Sequence, residues 1–76
     1  MEIKEFIQLF AEQFEDSDAS IFTPDTVFHD LDEWSSLVGL SIIAMVDDEY
    51  GVTIKGDELR AAKTLEDVFN LVNSKL

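Results

Sequence analysis

Ser36, His29 and Asp32 are the residue types of a hydrolytic triad, and they stand close together in the chain. A triad needs a nucleophile on a sharp turn, as in a Gly-x-Ser-x-Gly sequence, and backbone N–H groups that stabilise an oxyanion. The chain has no such sequence, and all three residues belong to one stretch before or at the start of a predicted helix. We therefore expect no catalytic residue and no enzymatic activity. His29 is better explained as a solvated residue or as one that packs within a loop.

Clusters of acidic residues, such as the one that begins at Asp47, raise the possibility of a metal site. A calcium-binding EF-hand loop requires alternating acids, glycine at its sixth position and glutamate at its twelfth. Counted from Asp47, the sixth position is Val52, so the pattern fails. The three glycines are scattered and form no phosphate-binding loop, and the absence of cysteine excludes a thiolate ligand or nucleophile. The sequence predicts no metal site.

The spacing of apolar residues predicts the elements that would position these side chains. Residues 3–14 follow a helical period with one apolar face: Ile3, Phe6, Ile7, Phe10 and Phe14. Residues 36–50 form a second helix, with Ser35 or Ser36 as its N-cap and Gly51 at its end. Residues 57–61 form a short third helix. The last helix opens at Thr64 with a capping-box pattern and has a second apolar face: Leu65, Val68, Phe69, Val72 and Leu76.

The connection between the first two helices, residues 15–35, loses the helical period, and Pro24 favours a turn. It is too apolar for a free loop, so we expect it to be pinned to the core by a set of side chains: Ile21, Phe22, Val27, Phe28 and Leu31. Trp34 should anchor this loop or border a contact surface. The sequence thus predicts an all-α fold in a single domain over residues 1–76. This fold is a small four-helix bundle with a long first loop and a short third helix.

The second helix carries apolar residues on two sides. At about 100° per residue, one stripe is sufficient to face the core: Ile42, Val46 and Tyr50, flanked by Val38 and Ile43. A second patch lies on roughly the opposite side: Leu37, Leu40 and Ala44, with Asp47 and Asp48 one turn further along. A small apolar patch with an acidic rim is typical of a protein-docking surface. The alternative is that the loop of residues 15–35 covers Leu37 and Leu40.

The charge balance restricts the classes of partner. Five basic against seventeen acidic residues give a net charge of −12, which repels nucleic acids and anionic membranes and favours proteins with basic surfaces. The longest apolar run, residues 42–46, is far too short to span a bilayer. The N-terminus lacks the basic and apolar regions of a signal peptide. We expect a cytoplasmic monomer that binds neither nucleic acid nor membrane.

The pattern around the second helix resembles that of an acyl carrier protein. Ser36-Leu37 directly follows the long loop, and Gly51 lies fourteen positions after Leu37, behind an acidic and aromatic helix end. The similarity covers nearly the whole chain, including Thr64-Leu65-Glu66-Asp67 at the start of the last helix. The Ser-Leu dipeptide alone is weakly specific, whereas the full register with the length and charge is strongly specific.

The resemblance implies that Ser36 carries a 4′-phosphopantetheine arm, transferred from coenzyme A by a phosphopantetheinyl transferase. The thiol of the arm would hold acyl intermediates as thioesters. The protein would present them to acyl-loading, elongating and acyl-transfer enzymes of fatty-acid, polyketide or related biosynthesis, and would itself catalyse nothing. The positive end of a helix also favours an attached phosphate on physical grounds.

Three departures from the family pattern lie near this serine. Ser35 stands where the family has aspartate, and Val38 and Ser41 stand where acids are common. These departures suggest a carrier dedicated to a specialised pathway. The competing interpretation is a non-catalytic acidic interaction module without a prosthetic group. That module would explain the charge and the apolar patch, but not the register of Ser36 relative to Gly51.

Overall fold

Helices make up the regular structure of the protein. The computed structural model describes residues 2–15 and 18–76. Within them lie four α-helices, α1 (Ile3–Ala11), α2 (Ser36–Tyr50), α3 (Gly56–Ala61) and α4 (Leu65–Ser74), and two 3₁₀ turns, Ala19–Ile21 and Phe28–Asp30. An isolated antiparallel bridge joins Val27 to Thr64, and the described residues contain no strand. The predicted all-α bundle with a long first connection and a short third helix is confirmed.

The core lies where α1, α2 and α4 meet, and phenylalanine rings dominate it. Phe6 and Phe10 of α1 are fully buried. The Phe10 ring centroid lies 5.4 Å from that of Phe28, and the Phe6 centroid lies 5.8 Å from that of Phe69, both in edge-on geometry. Edge-on aromatic pairs stabilise a core beyond the burial of their large apolar surfaces. The core therefore ties the long connection and α4 to α1.

The long connection is pinned to this core by fewer residues than predicted. Phe22 and Phe28 are buried, as expected, and Leu31 is half-buried against the core. Ile21 and Val27 are instead 44% and 38% exposed. The prediction was wrong for these two because each precedes a buried phenylalanine, and consecutive side chains in a tight turn point in different directions. Residues 16 and 17 of this predicted loop lie outside the described residues.

Two helix ends differ from their predicted positions. α1 ends at Ala11 rather than at residue 14, and a turn follows in which the Phe14 N–H donates to the Ala11 carbonyl. Phe14 is still buried, because its ring packs against those of Phe10 and Phe22. α4 ends at Ser74, so Leu76 lies beyond the helix and is 63% exposed. The assignment of Leu76 to the apolar face of α4 was wrong, because that face ends with the helix.

The short helix α3 is held at both ends. Leu59 anchors its middle in the core. The Glu58 carboxylate accepts the Lys55 N–H at 2.9 Å and pairs with the Lys75 ammonium at 3.1 Å. These contacts lower the pKa of Glu58, and the hydrogen bond from the Lys55 N–H has the largest effect. Beyond the helix, the Ala62 carbonyl accepts a hydrogen bond from Nε2 of His29 at 3.1 Å. His29 is thus a loop-packing residue, one of the two roles expected for it.

Candidate functional site

Two adjacent serines at the start of α2 have different structural roles. Ser35 is the N-cap, with an extended backbone and its Oγ accepting the Val38 N–H at 3.3 Å. Its carbonyl accepts the Gly39 N–H at 3.0 Å. Ser36 is the first helical residue and is exposed. Within the described residues no hydrogen bond engages its hydroxyl. Of the two predicted N-cap candidates, Ser35 is the one that caps α2, and the Ser36 hydroxyl is therefore available for reaction.

The start of α2 also offers unused hydrogen-bond donors. In the described part of the chain, the backbone N–H groups of Ser36 and Leu37 have no acceptor. The first turn of α2 contains no acidic side chain. Exposed N–H groups at the positive end of a helix stabilise a negative group placed there. An anionic phosphate attached to Ser36 fits this environment.

The outer face of α2 is open to solvent. Leu37 is 76% exposed and Leu40 is 62% exposed, and Ala44, Asp47 and Asp48 are exposed with them. The long connection therefore does not cover Leu37 and Leu40, and that alternative is excluded. We call these five residues the outer face of α2. They form the apolar patch with an acidic rim that the helical spacing predicted.

The inner side of α2 is broader than the predicted stripe. Ile42 and Val46 of the predicted stripe are fully buried, while Tyr50, its third member, is only half-buried. The flanking residues Val38 and Ile43 are half-buried as well. Gly39 and Met45 are buried as well, which the helical wheel did not indicate. Their burial depends on what packs against α2 rather than on its own period. For Gly39 the neighbours are Trp34 and Leu59.

A groove of about 250 Å³ lies between α2 and α3, with Ser36 on its edge. Its lining is mostly apolar: Trp34, Ser36, Gly39, Leu40, Ile43, Gly56, Leu59 and Arg60. The Trp34 ring packs on Phe28 at 5.0 Å and on His29 at 4.9 Å between centroids, so this tryptophan both anchors the loop and borders the groove. The groove could not be predicted from the sequence, because its second wall depends on where α3 packs.

The triad of Ser36, His29 and Asp32 does not form among the described residues. His29 directs its Nε2 to the Ala62 carbonyl, and no hydrogen bond links it to Ser36 or Asp32. Within residues 2–15 and 18–76 no group of three or more histidine, aspartate or glutamate side chains is arranged to hold a metal ion. None of the helices described is both long and apolar enough to cross a bilayer.

The fold and site define a small all-α domain that presents an exposed serine at the first position of its longest helix. A family model described as phosphopantetheine attachment site matches residues 4–72. The chain belongs to this family of carrier proteins, whose members bear covalently attached 4′-phosphopantetheine. The resemblance to acyl carrier proteins is thereby confirmed. A search of curated proteins and a search of solved structures each returned no match.

Proposed function

We propose that Ser36 is the residue that carries the 4′-phosphopantetheine arm. The supporting observation is the division of roles at the start of α2, where Ser35 caps the helix and Ser36 stays exposed with no hydrogen bond to its hydroxyl among the described residues. The hydroxyl would attack the pyrophosphate of coenzyme A, form a phosphodiester and release adenosine 3′,5′-bisphosphate. A base of the transferase would take the proton. The free N–H groups of Ser36 and Leu37 would then face the new phosphate.

The protein would act as a monomeric, non-catalytic carrier in the cytoplasm. The thiol of the arm would hold acyl intermediates as thioesters for enzymes of fatty-acid, polyketide or related biosynthesis. Three positions favour a specialised pathway: Ser35, Val38 and Ser41 leave the start of α2 without the acids common in the family. A partner matched to this surface would rely there more on apolar contact and less on basic side chains.

The outer face of α2 is proposed as the docking surface. Leu37, Leu40 and Ala44 offer apolar contact beside Ser36, while Asp47 and Asp48 form an acidic rim further along the helix. The acids would speed encounter with lysine and arginine patches on the transferase and on the acyl-handling enzymes. The leucines would slow dissociation. This arrangement brings the partner to the end of α2 that holds the attachment serine.

The intact mass of the protein tests the assignment of Ser36. The wild type is incubated with coenzyme A, Mg²⁺ and a broad-specificity phosphopantetheinyl transferase, beside the matched variants Ser36→Ala and Ser35→Ala. We expect the wild type and Ser35→Ala to gain the mass of one arm and Ser36→Ala to gain none. Ser35→Asp, which restores the residue usual in the family, should be modified faster.

Two results would contradict this proposal. Modification of Ser36→Ala would place the arm elsewhere. Resistance of the folded wild type to every transferase would favour the second candidate, an acidic interaction module without a prosthetic group. The exposed leucines of α2 and the net charge of −12 are compatible with that module.

A further inference from the structure

The charge of the protein is divided unevenly along the chain. Residues 1–54 hold one basic and thirteen acidic residues, whereas residues 55–76 hold four of each. The net charge of −12 therefore belongs to the first part alone. Three of the five basic residues stand within nine positions in and around α3, and all three are exposed: Lys55, Arg60 and Lys63. We call them the α3 basic residues.

Lys55 occupies a position where the fold favours another residue type. It is the N-cap of α3, where serine, threonine, aspartate or asparagine would accept an N–H group. An ammonium group only donates, so the Lys55 side chain cannot do this. The Glu58 carboxylate already accepts the Lys55 N–H at 2.9 Å, which is one half of a capping box. A serine at this position would supply the other half, so the lysine lowers the stability of α3 and calls for a reason outside the fold.

The positive charges of Lys55 and Arg60 lie at the same end of α3. A Cβ at Gly56 would lie 3.6 Å from Nη1 of Arg60, so the guanidinium group lies over the first turn of α3, directly after Lys55. Arg60 pairs with Asp57, but both side chains are exposed, and such pairs exchange partners at little cost in free energy. The ammonium groups of Lys55 and Lys63 have no ion pair among the described residues. This surface can therefore accept carboxylates from a partner.

The α3 basic residues border the docking surface proposed on α2. Arg60 of α3 and Leu40 of the outer face of α2 line the same groove. An enzyme that covers Leu40 would therefore also approach the first turn of α3. It would meet positive charge there and the acids Asp47 and Asp48 further along α2. A docking patch made only of basic side chains would be attracted to one helix and repelled by the other.

We propose that the α3 basic residues extend the docking surface and select enzymes that place acidic side chains opposite α3 and basic side chains opposite the outer face of α2. The proposal rests on the proposed docking at that outer face. Carboxylates of the matching enzyme pair with Lys55 and Arg60, whereas repulsion at α3 weakens the binding of enzymes whose patch is uniformly basic. Charge complementarity of this kind contributes more to specificity than to affinity.

The test uses a broad-specificity phosphopantetheinyl transferase as the probe. A set of transferase variants is made, each with one lysine or arginine of its docking surface changed to glutamate. Titration calorimetry without coenzyme A measures their binding to the wild-type carrier and to Lys55→Glu. The unchanged transferase should bind Lys55→Glu more tightly than the wild type, because a repulsion is removed. At least one glutamate variant should reverse this preference and bind the wild type about threefold more tightly than Lys55→Glu.

Lys4→Glu is the matched control, because Lys4 is an exposed lysine of α1 and lies outside the lining of the groove. It changes the net charge equally and should show no reversal of preference. Lys55→Ser completes the capping box and should raise Tm by about 2–8 °C.

Three results would overturn the inference: every glutamate variant of the transferase weakens binding to both carriers alike, Lys4→Glu shows the same reversal as Lys55→Glu, or Lys55→Ser lowers Tm. In each case the transferase still binds the carrier. A folded wild type that no transferase binds or modifies would instead refute the proposed function itself.

Discussion

The N-terminal ends of α2 and α4 are both capped by a hydroxyl side chain, but their first backbone N–H groups differ in whether they have acceptors. Each begins after a hydroxyl N-cap, Ser35 in α2 and Thr64 in α4. In α4 the protein itself uses the first N–H groups, because those of Leu65 and Glu66 donate to carbonyls of the long connection. In α2 the corresponding donors stay free within the described chain. One helix start is closed by the fold, and the other is left open to an external group.

The two helices also differ in how they bury their apolar side chains. α4 turns a contiguous apolar face into the core: Leu65, Val68 and Val72 are fully buried. α2 buries Ile42 and Val46 but exposes Leu37 and Leu40 beside the free N–H groups. The apolar residues of α4 therefore stabilise the fold. Leu37 and Leu40 of α2 lower solubility and do not contribute to the core. That cost is expected where a surface must bind partners.

A matched pair of leucine substitutions should show the largest difference between the two helices. Leu65→Ala removes a fully buried side chain of α4 and should lower the free energy of unfolding by about 2–5 kcal/mol. Leu40→Ala removes a side chain that is 62% exposed and should change it by less than about 0.5 kcal/mol. Urea denaturation measures both. Equal destabilisation by the two variants would show that the outer face of α2 contributes to the fold.

Charge reversal on α2 should weaken partner binding without unfolding the protein. Asp47→Lys with Asp48→Lys should lower affinity for a transferase or acyl-handling enzyme by about tenfold or more, because it replaces attraction to basic side chains by repulsion. Leu40→Glu should weaken binding as well. Titration calorimetry measures the affinities. The control reverses the same number of charges away from α2, Asp25→Lys with Glu66→Lys, and should bind nearly as the wild type does; an equal loss would indicate bulk charge alone.

The two N-caps should differ more modestly in their contribution to stability. Thr64 accepts the Asp67 N–H while the Asp67 carboxylate accepts the Thr64 N–H, so Thr64→Ala should cost about 1 kcal/mol. Ser35 accepts a single N–H, at 3.3 Å, and Val38 cannot return a hydrogen bond. Ser35→Ala should therefore cost only about 0.5 kcal/mol. Thermal unfolding of both variants decides the order, and a larger cost for Ser35→Ala would contradict it.

The smallest expected effect is a loss of stability at acid pH, which arises from Asp67 at the N-terminal end of α4. Hydrogen bonds from the Thr64 and Lys63 N–H groups lower the pKa of Asp67 below its ordinary value of 3.8. Because the folded pKa is depressed, this stabilisation is present above pH 3.8 and is lost as the pH falls through the folded pKa. The stability difference between wild type and Asp67→Asn should shrink over that range. A difference that stays constant would show that the carboxylate charge is not involved.

The sequence predicted the positions of the helices better than it predicted which side chains are buried. Periodicity and capping residues located all four helices, because spacing, Thr64 with Asp67, and Gly51 act locally. The exposure of Leu37 and Leu40 also followed from the wheel, since one stripe was enough for the core. Ile21 and Val27 were placed wrongly because the direction of a side chain in a turn has no period.

The candidate site could be predicted only in part. The resemblance selected Ser36, and the capping preference of serine suggested the role of Ser35. The groove beside Ser36 and the burial of Gly39 could not be predicted, because both arise where α3 and Trp34 pack against α2. Those contacts join residues distant in the chain, for which the sequence has no local signal.

Localisation of the arm within the modified wild type is the most direct test of the view that α2 begins at an attachment site. Electron-transfer fragmentation of the peptide that contains both serines cleaves the chain between Ser35 and Ser36. We predict that N-terminal fragments ending at Ser35 are unmodified and that every N-terminal fragment including Ser36 carries the mass of phosphopantetheine. The mass of the arm on fragments that end at Ser35 would contradict the account.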